Sequence, residues 1–153
     1  MRNVTLCILV KEEKLLLGMK KKGFGAGNYN GFGGKLKENE ILELGAVREL
    51  FEEVGIKANP EYLHKKAELS FTFPHKPEWN QVVHVYLVDR WEGEPNESDE
   101  MKPEWFDIDK IPYEKMWEAD SYWIPHILEG KYVNASFVYG ENKEILEKSL
   151  KFD

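Results

Sequence analysis

Three glutamates within one predicted helix constrain this chain more than any other feature. Glu52 and Glu53 follow Glu49 by three and four residues, a spacing that places all three side chains on one helical face. Like charges stacked in this way repel one another and weaken an isolated helix. A cation that takes oxygen ligands relieves the repulsion, and Mg²⁺ is bound by a few carboxylates together with substrate phosphates. The spacing therefore indicates a metal site for a polyphosphate, although a solvated acidic helix face has the same pattern.

The opposite face of this helix, predicted over residues 40–54, is expected to pack on the core. Its apolar residues recur with a helical period and should point away from the glutamates. They are Ile41, Leu44, Val47, Phe51 and Val54. Because glycine is costly inside a helix, we expect Gly45, on the carboxylate side, to let a ligand approach the backbone. Gly55 is expected to end the helix as its C-terminal cap.

The charge balance argues against binding to a polynucleotide. The 153 residues include 21 Lys and Arg against 28 Asp and Glu, a net charge of −7, whereas phosphate-backbone binding needs a basic surface. The single cysteine, Cys7, lies in an apolar run and is expected to be buried, which suits a reducing compartment. No apolar stretch approaches the ~20 residues of a membrane span, and the first strand begins too early for a signal peptide. We expect a cytoplasmic protein with no membrane partner.

The remaining pattern predicts a mixed α/β sandwich of short strands and two helices. Strands are expected at residues 5–10, 15–19, 63–73, 82–88, 105–106, 132–139 and 145–150. The second helix is expected to begin at Asp120 or Ser121, which could cap it, and to end near residue 129. Six glycines between residues 23 and 34 indicate a loop that passes close to another group. With no internal repeat and no linker, residues 1–153 should form one domain, and we expect a monomer.

Residues 34–56 resemble the Nudix box. The pattern Gly-x5-Glu-x7-Arg-Glu-aliphatic-x-Glu-Glu-x-Gly-aliphatic is met at every constrained place. These places are Gly34, Glu40, Arg48, Glu49, Leu50, Glu52, Glu53, Gly55 and Ile56. Nudix enzymes hydrolyse nucleoside diphosphates linked to another group and use a divalent metal. The resemblance therefore implies a Nudix fold, with a mixed β-sheet sandwiched between helices, and a Mg²⁺-dependent reaction in which Mn²⁺ could substitute.

The same resemblance implies which residues serve the metal. The expected ligands are Gly33 and Gly34, through a backbone carbonyl, and Glu49, Glu52, Glu53 and Glu100. Glu53 is the expected essential carboxylate, and Glu100, in an acidic loop, is expected to be a further ligand or a base. Arg48 is expected to orient Glu52 or Glu40 rather than to contact the substrate.

Segments outside the box resemble the MutT-homologue branch that hydrolyses oxidised purine nucleoside triphosphates. They are residues 17–27, 30–35, 97–103, 105–106, 111–112, 116–117 and 120–123, and the likeness weakens after about residue 131. The resemblance implies a small nucleotide substrate such as 8-oxo-dGTP, cleaved to the monophosphate and pyrophosphate. A less selective nucleoside triphosphate pyrophosphatase remains an alternative. So does a catalytically silent nucleotide-binding module, although the complete set of glutamates argues against it.

Seven residues are expected to contact the substrate. They are Thr5, Lys20, Phe24, Asn30, Phe71, Trp117 and Asp120. Asn30 has a donor and an acceptor for a purine edge, and aromatic side chains can stack on any base. The branch has two consecutive aspartates where this chain has Ala119 and Asp120. Because alanine can neither donate nor accept a hydrogen bond through its side chain, the range of purines is left open, 2-hydroxy-dATP above all.

Overall fold

Eight strands form one mixed sheet in the computed structural model, which describes residues 1–23 and 25–153. The strands are β1 (Arg2–Lys11), β2 (Lys14–Lys20), β3 (Tyr29–Asn30), β4 (Leu63–Thr72), β5 (Gln81–Val88), β6 (Met101–Asp107), β7 (Val133–Tyr139) and β8 (Ile145–Phe152). Their order is β3-β2-β1-β5-β4-β7-β8, with β6 on the other side of β2. The β1–β5 and β4–β7 pairs are parallel and the others antiparallel.

Two helices cover opposite faces of this sheet: α1 (Leu42–Val54) and α2 (Asp120–Leu128). Successive residues of β5 belong to different cores, because alternate side chains of a strand face opposite ways. Val85 lies in the core that contains Trp123 of α2, whereas Tyr86 lies in the core that contains Leu50 of α1. The predicted arrangement of a mixed sheet between helices is confirmed.

Most predicted elements are present with ends shifted by a few residues, but two strands differ. β3 was not predicted, because two residues are too short to show a period. β6 has seven residues instead of the two expected at 105–106. Among the described strands it pairs with β2 alone, and it carries Pro103 and exposed charged residues, features of an edge strand that hide the apolar alternation.

The buried face of α1 is not the one predicted. Ile41, Leu44 and Phe51 are 62%, 48% and 49% exposed, so the apolar stripe expected to face the core lies largely in solvent. The residues that α1 buries are Gly45, Ala46, Leu50, Glu53 and Val54. This set has an equally good helical period. It includes Glu53, however, and a sequence-based prediction places a charged residue in solvent rather than in the core. The tertiary packing thus buries one carboxylate of the acidic cluster.

The predictions for Gly45, inside α1, and Gly55, at its C-terminal end, have different outcomes. A Cβ on Gly45 would lie 2.3 Å from Leu36 Cδ2 and 3.1 Å from a carboxylate oxygen of Glu40. The expected approach of a ligand at Gly45 is therefore wrong, since the preceding loop packs there. Gly55 ends the helix with φ 74°, and its N–H donates to the carbonyl of Phe51, which confirms the predicted cap.

Cys7 is fully buried, as expected from its apolar surroundings. Burial, together with a smaller effect from the charge of the nearby Glu53, raises the pKa of its thiol to about 12. The thiol is therefore protonated and inert at neutral pH. Within residues 1–23 and 25–153, no helix is long and apolar enough to cross a membrane.

Candidate active site

A cavity of 530 Å³ lies where the edge of β1 meets the face of the sheet that α2 covers. It is lined by six of the seven residues expected to contact a substrate: Thr5, Lys20, Asn30, Phe71, Trp117 and Asp120. The seventh, Phe24, lies outside the described residues. The lining also includes Gly33, Gly34, Glu53 and Glu100 from the expected metal set. One cavity thus brings together residues predicted separately for phosphate and for base.

Glu53 connects α1 to the glycine loop. Its Oε1 accepts a hydrogen bond from the backbone N–H of Gly33 at 2.6 Å. Burial raises the pKa of Glu53 to about 8, and the charges of Glu49 and Glu100 raise it, whereas the hydrogen bond from Gly33 and the charge of Lys20 act in the opposite direction. The most buried carboxyl of the cluster therefore holds its proton more tightly than a solvent-exposed glutamate does.

The glycine loop approaches β1 and α1 so closely that side chains would not fit. A Cβ on Gly33 would lie 1.7 Å from the carbonyl oxygen of Thr5, and one on Gly34 would lie 2.7 Å from the carboxylate of Glu49. The backbone N–H of Thr5 donates to the carbonyl of Gly34 at 2.9 Å. Thr5 Oγ1 is buried with no hydrogen-bond partner among the described residues. It is therefore available to form a hydrogen bond with a ligand in the cavity.

Arg48 binds three carboxylates beside the cavity. Its Nε and Nη2 donate to Glu40 at 2.7 and 2.8 Å, a bidentate pair. Nη1 donates to Glu49 at 3.0 Å and to Glu52 at 3.2 Å. The hydrogen bond from Arg48 is the main reason that the pKa of Glu40 falls to about 2. Arg48 thus contacts both of the glutamates that it was expected to orient, and Glu49 as well.

The expected metal ligands do not form a closed coordination shell. Glu49, Glu52 and Arg48 are absent from the cavity lining, and nowhere in residues 1–23 and 25–153 do three acidic, histidine or cysteine side chains converge as a metal site. Arg48 engages two of the carboxylates, and Gly33 engages Glu53.

The charges of these residues nevertheless fit a divalent cation. Burial raises the pKa of Glu49, Arg48 acts in the opposite direction, and the charges of Glu52 and Glu100 raise it further. Glu100 thus influences the pKa of both Glu49 and Glu53. A hard cation with oxygen ligands would relieve this mutual repulsion. The donor set therefore suits a divalent cation, after a local rearrangement of the carboxylates.

An aromatic cluster forms part of the cavity wall. The ring of Phe71 stacks on Phe137 and Tyr139 with centroids 5.5 and 5.9 Å apart. Phe73 stacks on Tyr139 at 5.7 Å, and Trp117 meets Tyr139 edge-on at 5.2 Å. Phe71, Phe73, Trp117 and Tyr139 all line the cavity. They offer the flat apolar surface on which a nucleobase stacks.

Asp120 is a buried carboxyl in this wall. It accepts a hydrogen bond from Trp123 Nε1 at 3.1 Å, and burial raises its pKa to about 7. The helix α2 has no side-chain cap, so the expected capping role of Asp120 is wrong. Ala119 is fully buried and donates its backbone N–H to Tyr139 Oη at 2.9 Å. It is absent from the cavity lining.

Several residues of the cavity escaped the sequence reasoning. They are Arg2, Trp79, Gln81, Met101, Trp123 and Tyr139. Strand register brings two of them to the cavity: Arg2 pairs with Gln81, which pairs with Phe71 across β5 and β4. Two signals were usable: the aromatic character of Trp79 and Tyr139, near strands that end at the cavity, and the position of Met101 and Trp123 within segments that resemble the MutT-homologue branch.

Comparisons with known proteins agree with this geometry. Residues 1–127 match the NUDIX domain family. The oxidized purine nucleoside triphosphate hydrolase of Mus musculus is 45% identical over 150 residues, which cover 98% of this chain and 94% of the relative. The protein of the same description from Danio rerio is 46% identical over 147 residues, covering 96% and 92%. The crystal structure of a MutT protein from Bacillus halodurans has a TM-score of 0.87 at 26% identity, covering 99% and 98%.

Proposed function

Because the chain belongs to the Nudix family, we propose that it hydrolyses oxidised purine nucleoside triphosphates such as 8-oxo-dGTP to the monophosphate and pyrophosphate. One observation carries the proposal: a single cavity is lined both by Glu53 and Gly33 and by Asn30, Trp117 and Asp120. A nucleotide needs both sets of residues, one for its phosphates and one for its base. The activity of the mouse and zebrafish relatives, oxidized purine nucleoside triphosphate hydrolases, supports the same substrate class.

Nudix hydrolases generally use divalent cations, and we propose Mg²⁺ for this chain, with Mn²⁺ as a substitute. The residues that would hold it are Glu49, Glu52, Glu53, Glu100 and a backbone carbonyl of Gly33 or Gly34. When bound, the cation would neutralise phosphate oxygens and make water a better nucleophile.

The chain's own residues hold the phosphate end in position. The N–H of Gly33 orients the carboxylate of Glu53, and Arg48 orients Glu49 and Glu52 from behind. Lys20 lines the cavity and lowers the pKa of Glu53 through its charge, so it lies where phosphate oxygens would need a cation. In such a site, positioning and charge stabilisation supply most of the rate.

The residues proposed to contact the base select the purine through hydrogen bonds. Asn30 can both donate and accept. Asp120, with a pKa raised to about 7 by burial, can donate when protonated and accept when ionised. Trp117 supplies a flat face beside them. Since Ala119 is buried away from the cavity lining, Asp120 would meet the purine edge without a second carboxyl.

Ala119 also favours a second candidate, a less selective nucleoside triphosphate pyrophosphatase. Loss of one hydrogen-bonding group removes a means of rejecting the wrong base, because unpaired polar groups are what penalise a poor substrate. The phosphate chemistry would be the same in both candidates. For either, we propose a cytoplasmic monomer whose residues 1–153 act as one domain, consistent with a single sheet that runs through all eight strands.

The test is pyrophosphate release with Mg²⁺ from 8-oxo-dGTP, 2-hydroxy-dATP, dGTP and dATP, measured as kcat/KM. The proposed function predicts faster turnover of 8-oxo-dGTP than of dGTP. Equal turnover of oxidised and normal nucleotides would favour the less selective enzyme. No turnover of any of them, with binding retained, would identify a silent module.

A further inference from the structure

Gln81 lines the cavity from the face of the sheet that forms its floor. It pairs with Arg2 across β5 and β1 and with Phe71 across β5 and β4, and residues paired in this way project to the same face of a sheet. All three line the cavity. Val83, the next residue of β5 on this face, also lines it and is apolar. Along β5, the floor of the cavity therefore changes from apolar to polar at Gln81.

The polar groups at this place have unused hydrogen-bonding capacity. Within residues 1–23 and 25–153, the side-chain amide of Gln81 forms no hydrogen bond. The Nε of the neighbouring Arg2 is buried and has no partner in the same part of the chain. A buried donor left unpaired costs free energy, and an oxygen acceptor from a ligand would satisfy it. The amide itself offers both a donor and an acceptor.

Gln81 and Asn30 reach the cavity from different sides. Phe32, two residues after Asn30, pairs with Cys7, whereas Gln81 pairs with Arg2. Cys7 and Arg2 are five residues apart on β1, which is about 17 Å of strand. A base bound between the two amides therefore turns one edge to Asn30 and a different edge to Gln81.

The edge of guanine that oxidation changes is the one that carries N7 and C8. In guanine, N7 is an acceptor and C8 carries only a C–H. In 8-oxoguanine, N7 carries a proton and C8 carries a carbonyl oxygen, so a donor and an acceptor lie side by side. A carboxamide presents the complementary pair and can form two parallel hydrogen bonds with this edge. With the unoxidised edge it can form only one.

We propose that Gln81 recognises the oxidised purine directly, accepting a hydrogen bond from N7–H and donating one to the oxygen on C8. The proposal rests on the proposed function, which places a purine in this cavity, and it adds a residue that responds to the oxidation itself. Asn30 and Asp120 are left to bind the other polar groups of the base. Normal guanine is disfavoured because it leaves the carbonyl of the amide without a donor.

The test compares Gln81→Met and Gln81→Glu with Asn134→Leu as the matched control. Methionine keeps the length of the side chain but forms no such pair, and glutamate keeps an acceptor but has no N–H to donate. Asn134 has an exposed amide on β7 and does not line the cavity. Calorimetry gives the Kd of 8-oxo-dGMP, of dGMP and of 8-bromo-dGMP, which has a large group on C8 but no proton on N7.

The wild type and Asn134→Leu should bind 8-oxo-dGMP more tightly than the other two ligands. Both Gln81 variants should lose about tenfold or more in affinity for 8-oxo-dGMP, the scale of a bidentate contact to a base. Their affinity for dGMP and for 8-bromo-dGMP should stay nearly unchanged. Equal losses for all three ligands would limit Gln81 to packing and overturn the proposal, and so would an unchanged Kd of 8-oxo-dGMP.

If the Gln81 variants do not fold, the unaltered protein decides. The N7-methylated derivative of 8-oxo-dGMP has no proton on N7 and should bind no more tightly than dGMP, whereas binding as tight as that of 8-oxo-dGMP would overturn the proposal. None of these measurements depends on turnover. A protein that does not hydrolyse 8-oxo-dGTP, but loses its preference for 8-oxo-dGMP on Gln81→Met, would contradict the proposed function and support the role of Gln81. Hydrolysis of 8-oxo-dGTP with a preference that Gln81→Met leaves intact would do the reverse.

Discussion

The carboxylate of Glu53 accepts a hydrogen bond from the backbone N–H of Gly33 at 2.6 Å, and this contact joins α1 to the glycine loop. The loop is itself pressed against β1, because a Cβ on Gly33 would lie 1.7 Å from the carbonyl oxygen of Thr5. The positions of the helix, the loop and the strand therefore depend on one another. A change in any of them alters the position of the carboxylate on which the proposed reaction depends.

Replacement of that carboxylate separates catalysis from folding. Glu53→Gln should lower kcat at least ~100-fold, a typical scale for loss of a key electrostatic group. The amide oxygen can still accept from Gly33. Unlike the carboxyl, whose pKa is raised by burial to about 8, the amide never ionises, so thermal stability should be equal or higher. Steady-state kinetics and thermal unfolding check both expectations, with Glu147→Gln on the exposed strand β8 as the control. Near-normal turnover would show that Glu53 is not the essential carboxylate.

Alanine substitutions at the adjacent Gly33 and Gly34 should have different effects on stability and activity. Gly33→Ala sets a Cβ against backbone, which cannot give way, and should cost about 3 kcal/mol or more of unfolding free energy. Gly34→Ala meets only the side chain of Glu49, which can move, so activity should fall with a smaller loss of stability. Urea unfolding and kcat of the two variants test this difference. Equal losses of stability would contradict it.

Arg48→Lys tests whether the guanidinium organises the carboxylates. Lysine keeps the charge but lacks the fork that now reaches Glu40, Glu49 and Glu52. We expect a higher Mg²⁺ concentration for half-maximal activity and about a tenfold lower kcat/KM. Arg90→Lys, at an exposed position over the ring of Tyr62, is the control. An unchanged Mg²⁺ dependence would limit Arg48 to holding Glu40.

Asp120 should make stability depend on pH. Burial raises its pKa from 3.8 to about 7, so between these values the folded protein keeps a proton that the unfolded chain releases. Its contribution to stability is therefore complete below pH 3.8 and is lost as the pH rises through about 7. Relative to Asp120→Asn, which has no such proton, the wild type should lose at most about 4 kcal/mol over this range.

Urea unfolding of both proteins between pH 4 and pH 8 measures this loss as a change in their difference in free energy. Asp109→Asn, an exposed residue far from the cavity lining, is the control. Parallel stability curves for the wild type and Asp120→Asn would contradict the raised pKa.

Local spacing predicted much of this molecule. The box from Gly34 to Ile56 indicated the family, and alternation and helical period located both helices and most strands. The same reasoning chose the wrong buried face of α1, because Ile41, Leu44 and Phe51 have as good a helical period as the residues that are buried. Periodicity identifies an amphipathic helix, but it does not identify which of two overlapping faces meets the sheet.

The sequence by itself determined the chemistry available: three carboxylates at helical spacing, a glycine loop, and donors and aromatic rings for a base. Only the tertiary structure decided that Glu53 is buried, that Arg48 lies behind the site, and that Gln81 lines the cavity beside Phe71. Spacing along one element is a local property of the chain. Burial and contact arise between elements distant in sequence, as when Gly33 meets Glu53 across twenty residues, and packing of the whole sheet sets them.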